Sequence, residues 1–274
     1  MKIPQYNHPL IMGIINLTPD SFFYQDKEDV SYQLNNLNYK YANIIDVGCE
    51  SSRPGAEPVS EKEELLRLRR FLNKEHNLDR MISIDTYKPA VARFALDNGF
   101  NMINDIKAGG NNNSMLYLAA EYDCPIVLMH MKGIPSTMQI NPYYDDIMDD
   151  IISFFDKKLK TAETLGIKRK NLILDPGIGF GKRVEDNDVI INNLDKLKQF
   201  DQPILIGLSR KSFLSVDGDG PESRLPATLC ATVIAIQKGA NILRVHDVES
   251  TYKVKTILQR INNLKTRNTE IVYN

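Results

Sequence analysis

The sequence is poor in the residues that build disulfide frameworks and metal clusters. Its 274 residues include three cysteines and four histidines, all scattered along the chain. Cys49, Cys124 and Cys230 lie far apart and are odd in number, so neither a disulfide scaffold nor a CxxC zinc site is predicted. This cysteine usage favours a reducing, cytoplasmic environment.

Long apolar runs and an excess of one charge are also lacking. No stretch reaches the roughly 18 continuous apolar residues that a membrane helix needs, and the first ten residues lack the apolar run of a signal peptide. The formal net charge of −1 argues against a nucleic-acid-binding surface, although it leaves room for a local basic pocket. We therefore expect neither a membrane nor a nucleic-acid partner.

Short apolar runs, most of them ending in a polar residue, recur along the whole chain. They occupy residues 10–16, 43–48, 81–85, 101–106, 125–130, 171–175, 203–209 and 240–246. Their hydrophobicity is continuous rather than alternating, which is typical of strands that are covered on both faces in a parallel sheet. Eight parallel strands are therefore predicted.

Helix signals fill several of the intervals between these strands. Ser60 and Glu63 form a capping-box pattern, and Pro89 fits a first helical turn with Gly99 as its stop. A further segment has apolar residues at helical spacing, namely Ile147, Ile151, Phe155, Leu159 and Ala162. The intervals thus read as connecting helices.

Strands that alternate with helices over about 240 residues indicate an α/β fold of the (β/α)8 TIM-barrel class. No linker, low-complexity tract or strong repeat divides the chain, so a single domain spanning residues 1–274 is predicted. A doubly wound open sheet is the alternative, but the GxGxxG motif that would follow its first strand is missing.

Polar residues collect where the predicted strands end, which is where barrels place their active sites. In chain order they are Asn16, Asp46, Asp85, Asn104, His130, Asp175, Ser209, Arg210, Lys211, Arg244 and His246. One such residue alone most often caps a helix or satisfies loop backbone. A ring that contains both acids and bases instead predicts a functional site at the mouth.

The cations and the carboxylates of this ring indicate different chemistry. Lys211, Arg244, His246 and Arg53 favour an anion site, because loops after the seventh and eighth strands commonly bind phosphate. The acids and amides suit a planar heterocycle with adjacent N–H donors. A glycosidase carboxylate pair is a further interpretation, but a neutral sugar needs no such basic cluster.

One segment leaves two interpretations open. "NLILDPGIGFGK" (171–182) delivers Asp175 at the tip of a strand and then three glycines, a phenylalanine and a lysine. Glycines permit close approach of backbone to a ligand. The segment is therefore either a phosphate cradle or a slot for a flat ring.

Eight motifs, in order, resemble those of dihydropteroate synthases, the folate-pathway enzymes that sulfonamides inhibit. They are "IMGIINLTPDSF", "IIDVGCESSRPGAEPVS", "ISIDT", "INDI", "LMHMKGIPSTMQ", "LDPGIGFGK", "GLSRKSF" and "LRVHDV", and they span residues 10–250. The resemblance implies a transferase that joins 6-hydroxymethyl-7,8-dihydropterin diphosphate to p-aminobenzoate, giving 7,8-dihydropteroate and pyrophosphate. It also implies a homodimer and Mg²⁺ as cofactor.

The resemblance further implies site residues. For the pterin they are Asp85, Asn104, Asp175 and Lys211. For the diphosphate they are Asn16, Ser52 (where the family usually has threonine), Arg53, Arg244 and His246, with Mg²⁺ at Asn16. For p-aminobenzoate they are Phe22, Pro54, Phe180, Lys211 and Ser212. The groups expected to act in catalysis are Arg53, Lys211, Arg244 and His246. On this basis the glycine loop is interpreted as a ring-recognition loop.

Two alternatives remain at this level. One is a methyltetrahydrofolate-binding barrel of the corrinoid methyltransferases, which handles no diphosphate; "SRKSF" and "RVHDV" favour the synthase. The other is a catalytically inactive pterin-binding paralogue, which the full set of cations argues against. Release of pyrophosphate separates the enzyme from both.

Overall fold

The computed structural model describes residues 8–18, 39–51, 57–73, 80–110 and 112–271, with side chains as far as residue 262. Four residues of the expected site, Phe22, Ser52, Arg53 and Pro54, lie outside the described residues. The other expected site residues all lie within them.

Eight parallel strands form the centre of the molecule. They are β1 (Leu10–Asn16), β2 (Ile44–Gly48), β3 (Met81–Asp85), β4 (Met102–Asp105), β5 (Ile126–Met129), β6 (Leu172–Asp175), β7 (Leu205–Ile206) and β8 (Ile242–Val245). Their order is β6-β5-β4-β3-β2-β1-β8-β7. A parallel bridge between Leu174 and Ile204 joins the two outer strands and closes the barrel.

Seven α-helices lie in the described parts of the chain. They are α1 (Glu61–Leu72), α2 (Pro89–Asp97), α3 (Ser114–Glu121), α4 (Ile147–Thr164), α5 (Val184–Asn192), α6 (Leu225–Lys238) and α7 (Val248–Ile271). Their alternation with the strands confirms the (β/α)8 barrel. No helix among the described residues is long and apolar enough to cross a membrane.

The local signals explain where several helices begin. The Ser60 side chain accepts a hydrogen bond from the Glu63 backbone N–H at 3.2 Å and so caps α1. The Glu63 carboxylate pairs instead with Arg67 at 3.0 Å, so only one half of the predicted capping box forms. Pro89 occupies the first turn of α2, as its fixed φ angle favours.

Two apolar layers hold the barrel together. Inside, every second strand residue points to the axis and contributes to a separate cluster formed by Leu10, Met12, Ile44, Met81, Met102, Val127, Ile173, Leu205 and Ile242. Outside, the alternate residues pack against the helices, including the fully buried Ile151 and Phe155 of α4. The continuous hydrophobicity of the strands follows from these two covered faces.

The register of the strands lines up polar positions at the carboxyl end of the barrel. Asn16 of β1 pairs with Gly48 of β2, Gly48 with Asp85 of β3, and Asp85 with Asn104 of β4. These residues follow the inward-facing apolar ones by two or four positions along each strand, so they share the inward face and lie at the barrel mouth. The strand register therefore builds a polar floor above the apolar core.

The loop that follows β6 packs directly on the loop that follows β5. Gly177 and Gly181 both have positive φ angles, 67° and 64°. A Cβ atom at either position would overlap a backbone oxygen, that of His130 or that of Lys132. These two glycines therefore permit close approach of the protein's own backbone, whereas the sequence had suggested approach of a ligand.

We expect Gly177→Ala to lower the free energy of unfolding by at least about 2 kcal/mol more than Gly166→Ala. Gly166 also has a positive φ angle of 86°, but a Cβ there would meet nothing within 4 Å. It therefore controls for the conformational cost alone. If chemical denaturation gave equal losses of unfolding free energy for the two variants, the loops after β5 and β6 would have adjusted to the added methyl group without cost. That result would contradict the close packing described here.

Candidate functional site

A half-buried arginine between two carboxylates forms the centre of the barrel mouth. Arg244 of β8 donates from Nε to Asp46 at 2.7 Å and from Nη2 to Asp85 at 2.6 Å. The Asp46 side chain is fully buried and that of Asp85 is 10% exposed. Such pairs offset the large cost of removing each charge from water only when the geometry is good.

Amide side chains extend this cluster toward β1 and β4. Asn104 donates to Asp46 at 3.0 Å. Gly48 lies between Asn16 and Asp85, and a Cβ there would stand 3.6 Å from Asn16 Oδ1 and 3.5 Å from Asp85 Oδ2. The absence of a side chain at Gly48 therefore leaves space beside both groups.

Asp175 and Lys211 form the other side of the mouth. Asp175, at the end of β6, accepts the Gly177 backbone N–H at 2.7 Å. Lys211 follows β7 and donates to the backbone oxygen of Ile178. Gly207 faces both Lys211 and Arg244, each with an atom 3.9 Å from the position of a Cβ. Glycine thus again keeps the space between charged groups open.

Burial shifts the pKa values of these groups. It raises the pKa of Asp85 to about 7, with Arg244 opposing the rise and Asp46 adding to it. Burial also raises the pKa of Asp175, against the charge of Lys211. The pKa of Lys211 falls to about 8 for the same reason, with Asp175 opposing. Several perturbed groups in one concave region are typical of functional sites.

The remaining described site residues lie at the rim. Phe180 is half-buried, and its ring centroid lies 4.8 Å from Lys211 Nζ. Ser212 is exposed and begins the short 3-10 helix Ser212–Leu214. The His246 ring nitrogen Nδ1 lies 3.0 Å from Ser209 Oγ, which fixes the orientation of the ring. A flat apolar surface and polar groups therefore share this rim.

Two residues that the sequence placed in the ring do not join it. His130 is buried outside the barrel, where its Nε2 lies 3.0 Å from Asp150 of α4 and its ring packs on Phe154. Met129, one position earlier, follows the inward-facing Val127 by two positions and therefore faces the barrel interior. Arg210 forms two hydrogen bonds with Asp247, at 2.8 and 2.6 Å, so its contacts are structural.

Asp46 is the residue whose importance sequence reasoning missed. The sequence places it in the ring of polar residues at the mouth, but the family resemblance assigns it no contact with a substrate. A signal was present, because Asp46 lies two positions before Gly48 and two after Ile44 and therefore shares their inward face. An acid on an inward face of a barrel strand requires a partner, and Arg244 supplies it.

A small cavity opens beside this cluster. It has a volume of about 150 Å³. Its lining includes Asp85, Tyr87, Ile106, Ile134 and Pro135 from the loops after β3, β4 and β5. Asp85 thus faces both the charged cluster and an apolar recess.

The fold and this cluster define a barrel enzyme with a polar, ring-binding mouth. The family described as pterin binding enzyme matches residues 12–246. The dihydropteroate synthase of Haemophilus influenzae is 42% identical over 263 residues, covering 93% of this chain and 94% of that relative. That of Escherichia coli is 39% identical and covers 92% of each.

Solved structures agree with this similarity. The Yersinia pestis dihydropteroate synthase in a sulfonamide drug complex has a TM-score of 0.88 and 36% identity, covering 96% of this chain and all of that one. The Xanthomonas albilineans enzyme with 4-aminobenzoic acid has a TM-score of 0.84 and 36% identity, covering 93% of this chain and 94% of that one.

The chain belongs to the pterin-binding enzymes. Within that family its near-full-length relatives are dihydropteroate synthases. Dihydropteroate synthase, a transferase of folate biosynthesis, is the function that the similarity supports. This agrees with the eight motifs and confirms the resemblance seen in the sequence.

We expect Asp46→Asn to lower the free energy of unfolding by about 1–3 kcal/mol, because a buried guanidinium loses a charged partner. We also expect pterin affinity to fall about tenfold, since Arg244 and Asn104 lose a shared anchor. Denaturant unfolding and pterin binding by calorimetry measure the two effects. Asp156→Asn, which breaks an exposed pair with Lys160, is the control and should change neither. Unaltered pterin affinity in Asp46→Asn would contradict the anchoring role.

Proposed function

We propose that the barrel mouth condenses 6-hydroxymethyl-7,8-dihydropterin diphosphate with p-aminobenzoate. The observation that carries this assignment of roles is the buried cluster in which Arg244 contacts Asp46 and Asp85. Asp175 and Lys211 lie on the opposite side of the same mouth. Anionic, amide and cationic groups are thus arranged for a substrate that has a polar ring at one end and a charged group at the other.

Pterin recognition falls to Asp85, Asn104, Asp175 and Lys211 in this proposal. The pterin presents a ring N–H beside an exocyclic amine, and a carboxylate accepts two such parallel donors. The end of β6 fixes Asp175 for this role, since its Oδ1 accepts the Gly177 N–H. Lys211 completes the site as a donor.

The diphosphate is assigned to Asn16, Arg244 and His246, together with Ser52 and Arg53, which lie outside the described residues. The Asn16 side-chain oxygen, which adjoins the open position at Gly48, fits a single Mg²⁺ ligand. The described residues contain no group of three or more His, Cys, Asp or Glu side chains that could hold a metal. Substrate phosphates would then complete the coordination. A bound Mg²⁺ would neutralise charge on the diphosphate.

The reaction needs charge neutralisation and positioning more than proton transfer. The bond between the pterin methylene carbon and the diphosphate oxygen breaks, and the arylamine nitrogen forms the new C–N bond while losing a proton. An arylamine is already neutral near pH 7, so no strong general base is required. Arg244, His246 and Arg53 favour departure of pyrophosphate, and Phe180, Ser212 and Lys211, with Phe22 and Pro54, position the amine.

A homodimer and a cytoplasmic location complete the proposal. An apolar surface on α5, α6 and the loop before α6 supports the dimer. Val216 and Ile234 are exposed there, and both line a cavity together with Ile191, Phe213 and Leu214. Apolar patches of this kind mark interaction sites. Sulfonamides would bind in place of p-aminobenzoate.

The purified protein with both substrates and Mg²⁺ should form pyrophosphate and dihydropteroate in equal amounts. Asp175→Asn should lose about 99% of kcat/KM, because a neutral amide no longer accepts two ring donors. Unfolding by denaturant serves as the control for its fold. Pterin binding without release of either product would favour a methyl-carrier or inactive pterin-binding protein. Unchanged kinetics in Asp175→Asn would contradict the role of that carboxylate.

A further inference from the structure

The backbone of one residue of the glycine loop, Gly179, is held on both sides by side chains outside the expected site. The Gly179 backbone N–H donates to Asn187 Oδ1 at 2.7 Å, and the Gly179 backbone oxygen accepts from Gln139 Nε2 at 2.5 Å. Asn187 lies in α5 and is 1% exposed, whereas Gln139 is exposed on the loop after β5. Two unrelated elements thus converge on one residue.

The Asn187 side-chain amide forms two hydrogen bonds with the backbone, one through its oxygen and one through its nitrogen. Its oxygen accepts the Gly179 N–H while its nitrogen donates to the Arg183 backbone oxygen at 2.7 Å. Both ends of the turn from Gly179 to Arg183 are therefore tied to the first turn of α5. A side-chain amide supplies both an acceptor and a donor, which a carboxylate or an alkyl group cannot do.

Residues 178–180 contact the Lys211 side chain. The Ile178 oxygen accepts from Lys211 Nζ, and the Phe180 ring centroid lies 4.8 Å from the same nitrogen. A Cβ at Gly179 would stand 3.3 Å from Lys211 Cδ. The position of the Gly179 backbone therefore determines where the Lys211 side chain and the Phe180 ring lie relative to each other.

We propose that Asn187 and Gln139 are positioning residues for the arylamine substrate and act through the Gly179 peptide on Phe180 and Lys211. This inference rests on the proposed function, in which Phe180 and Lys211 bind p-aminobenzoate. Neither Asn187 nor Gln139 needs to touch a substrate for this role.

The effect should separate the two substrates. Three of the four residues assigned to the pterin, Asp85, Asn104 and Asp175, end strands and are held by the barrel register. The fourth, Lys211, is shared with the arylamine. The arylamine depends on loop residues whose placement passes through Gly179. Loss of either Gly179 contact therefore weakens arylamine binding much more than pterin binding, since three strand-end residues still hold the pterin.

The test compares Asn187→Ala and Gln139→Ala with two matched controls. Asn193→Ala removes the same contact to the fourth residue before it, Nδ2 to the Val189 oxygen at 2.9 Å. Gln199→Ala removes an exposed glutamine whose Nε2 donates to the Lys196 oxygen at 2.8 Å. Neither control residue contacts the glycine loop in these bonds. Gln139 is exposed, so its variant keeps the test open if Asn187→Ala folds poorly.

We expect the KM for p-aminobenzoate to rise about tenfold in Asn187→Ala and Gln139→Ala, and the Kd for a pterin to stay within about twofold. The rise in KM in the double variant should fall short of the product of the two single effects, because both contacts hold the backbone of the same residue, Gly179. The control variants should match the parent protein. A parallel rise for both substrates, or an unchanged arylamine KM, would overturn the inference.

Calorimetry measures arylamine binding without turnover. In this experiment p-aminobenzoate is titrated into the protein in the presence of a pterin and pyrophosphate. A parent protein that forms no product would contradict the proposed function, and this binding measurement would still test the positioning role. A weakened arylamine complex in the two variants supports the inference. Equal affinity in variants and parent overturns it.

Discussion

The contact of Arg244 with Asp46 and Asp85 is the constraint on which the rest of the site depends. An unpaired charge at this depth would be strongly destabilising, so each of the three groups requires the others. The contact also spans the barrel, because the residues belong to β8, β2 and β3. The polar floor of the mouth is thereby tied to strands on both sides of β1.

Glycines decide how closely the charged groups and loops approach. Gly48 and Gly207 stand among the inward-facing positions of β2 and beyond β7, where a larger side chain would fill the mouth. Gly177 and Gly181 instead allow the backbone of the loop after β6 to contact the backbone of the loop after β5 directly. Glycine therefore has two roles here. Inside the barrel it leaves space beside the charged groups, and between the loops it allows close backbone packing. The short β7, Leu205–Ile206, ends directly before Gly207.

The sequence predicts the barrel well because the strands are continuous apolar runs, most of which end at or just before a polar residue. It also predicts Asp85, Asn104 and Asp175, since position at a strand end is visible in one dimension. The side that a residue faces is less visible. His130 is therefore expected at the mouth, although a one-residue step along the strand places it outside the barrel. Asp46 lies inside as expected, but its contact with Arg244 is not visible from the sequence. Asn187 and Gln139 could not be predicted, because their contact with Gly179 spans separate segments.

A crystal structure of the protein with a bound pterin tests the central claim most directly. The account predicts that the ring binds among Asp85, Asn104 and Asp175, with Arg244 still in contact with Asp46. A pterin seated elsewhere, for example in the recess between Tyr87 and Ile134 without contact to Asp175, would contradict it.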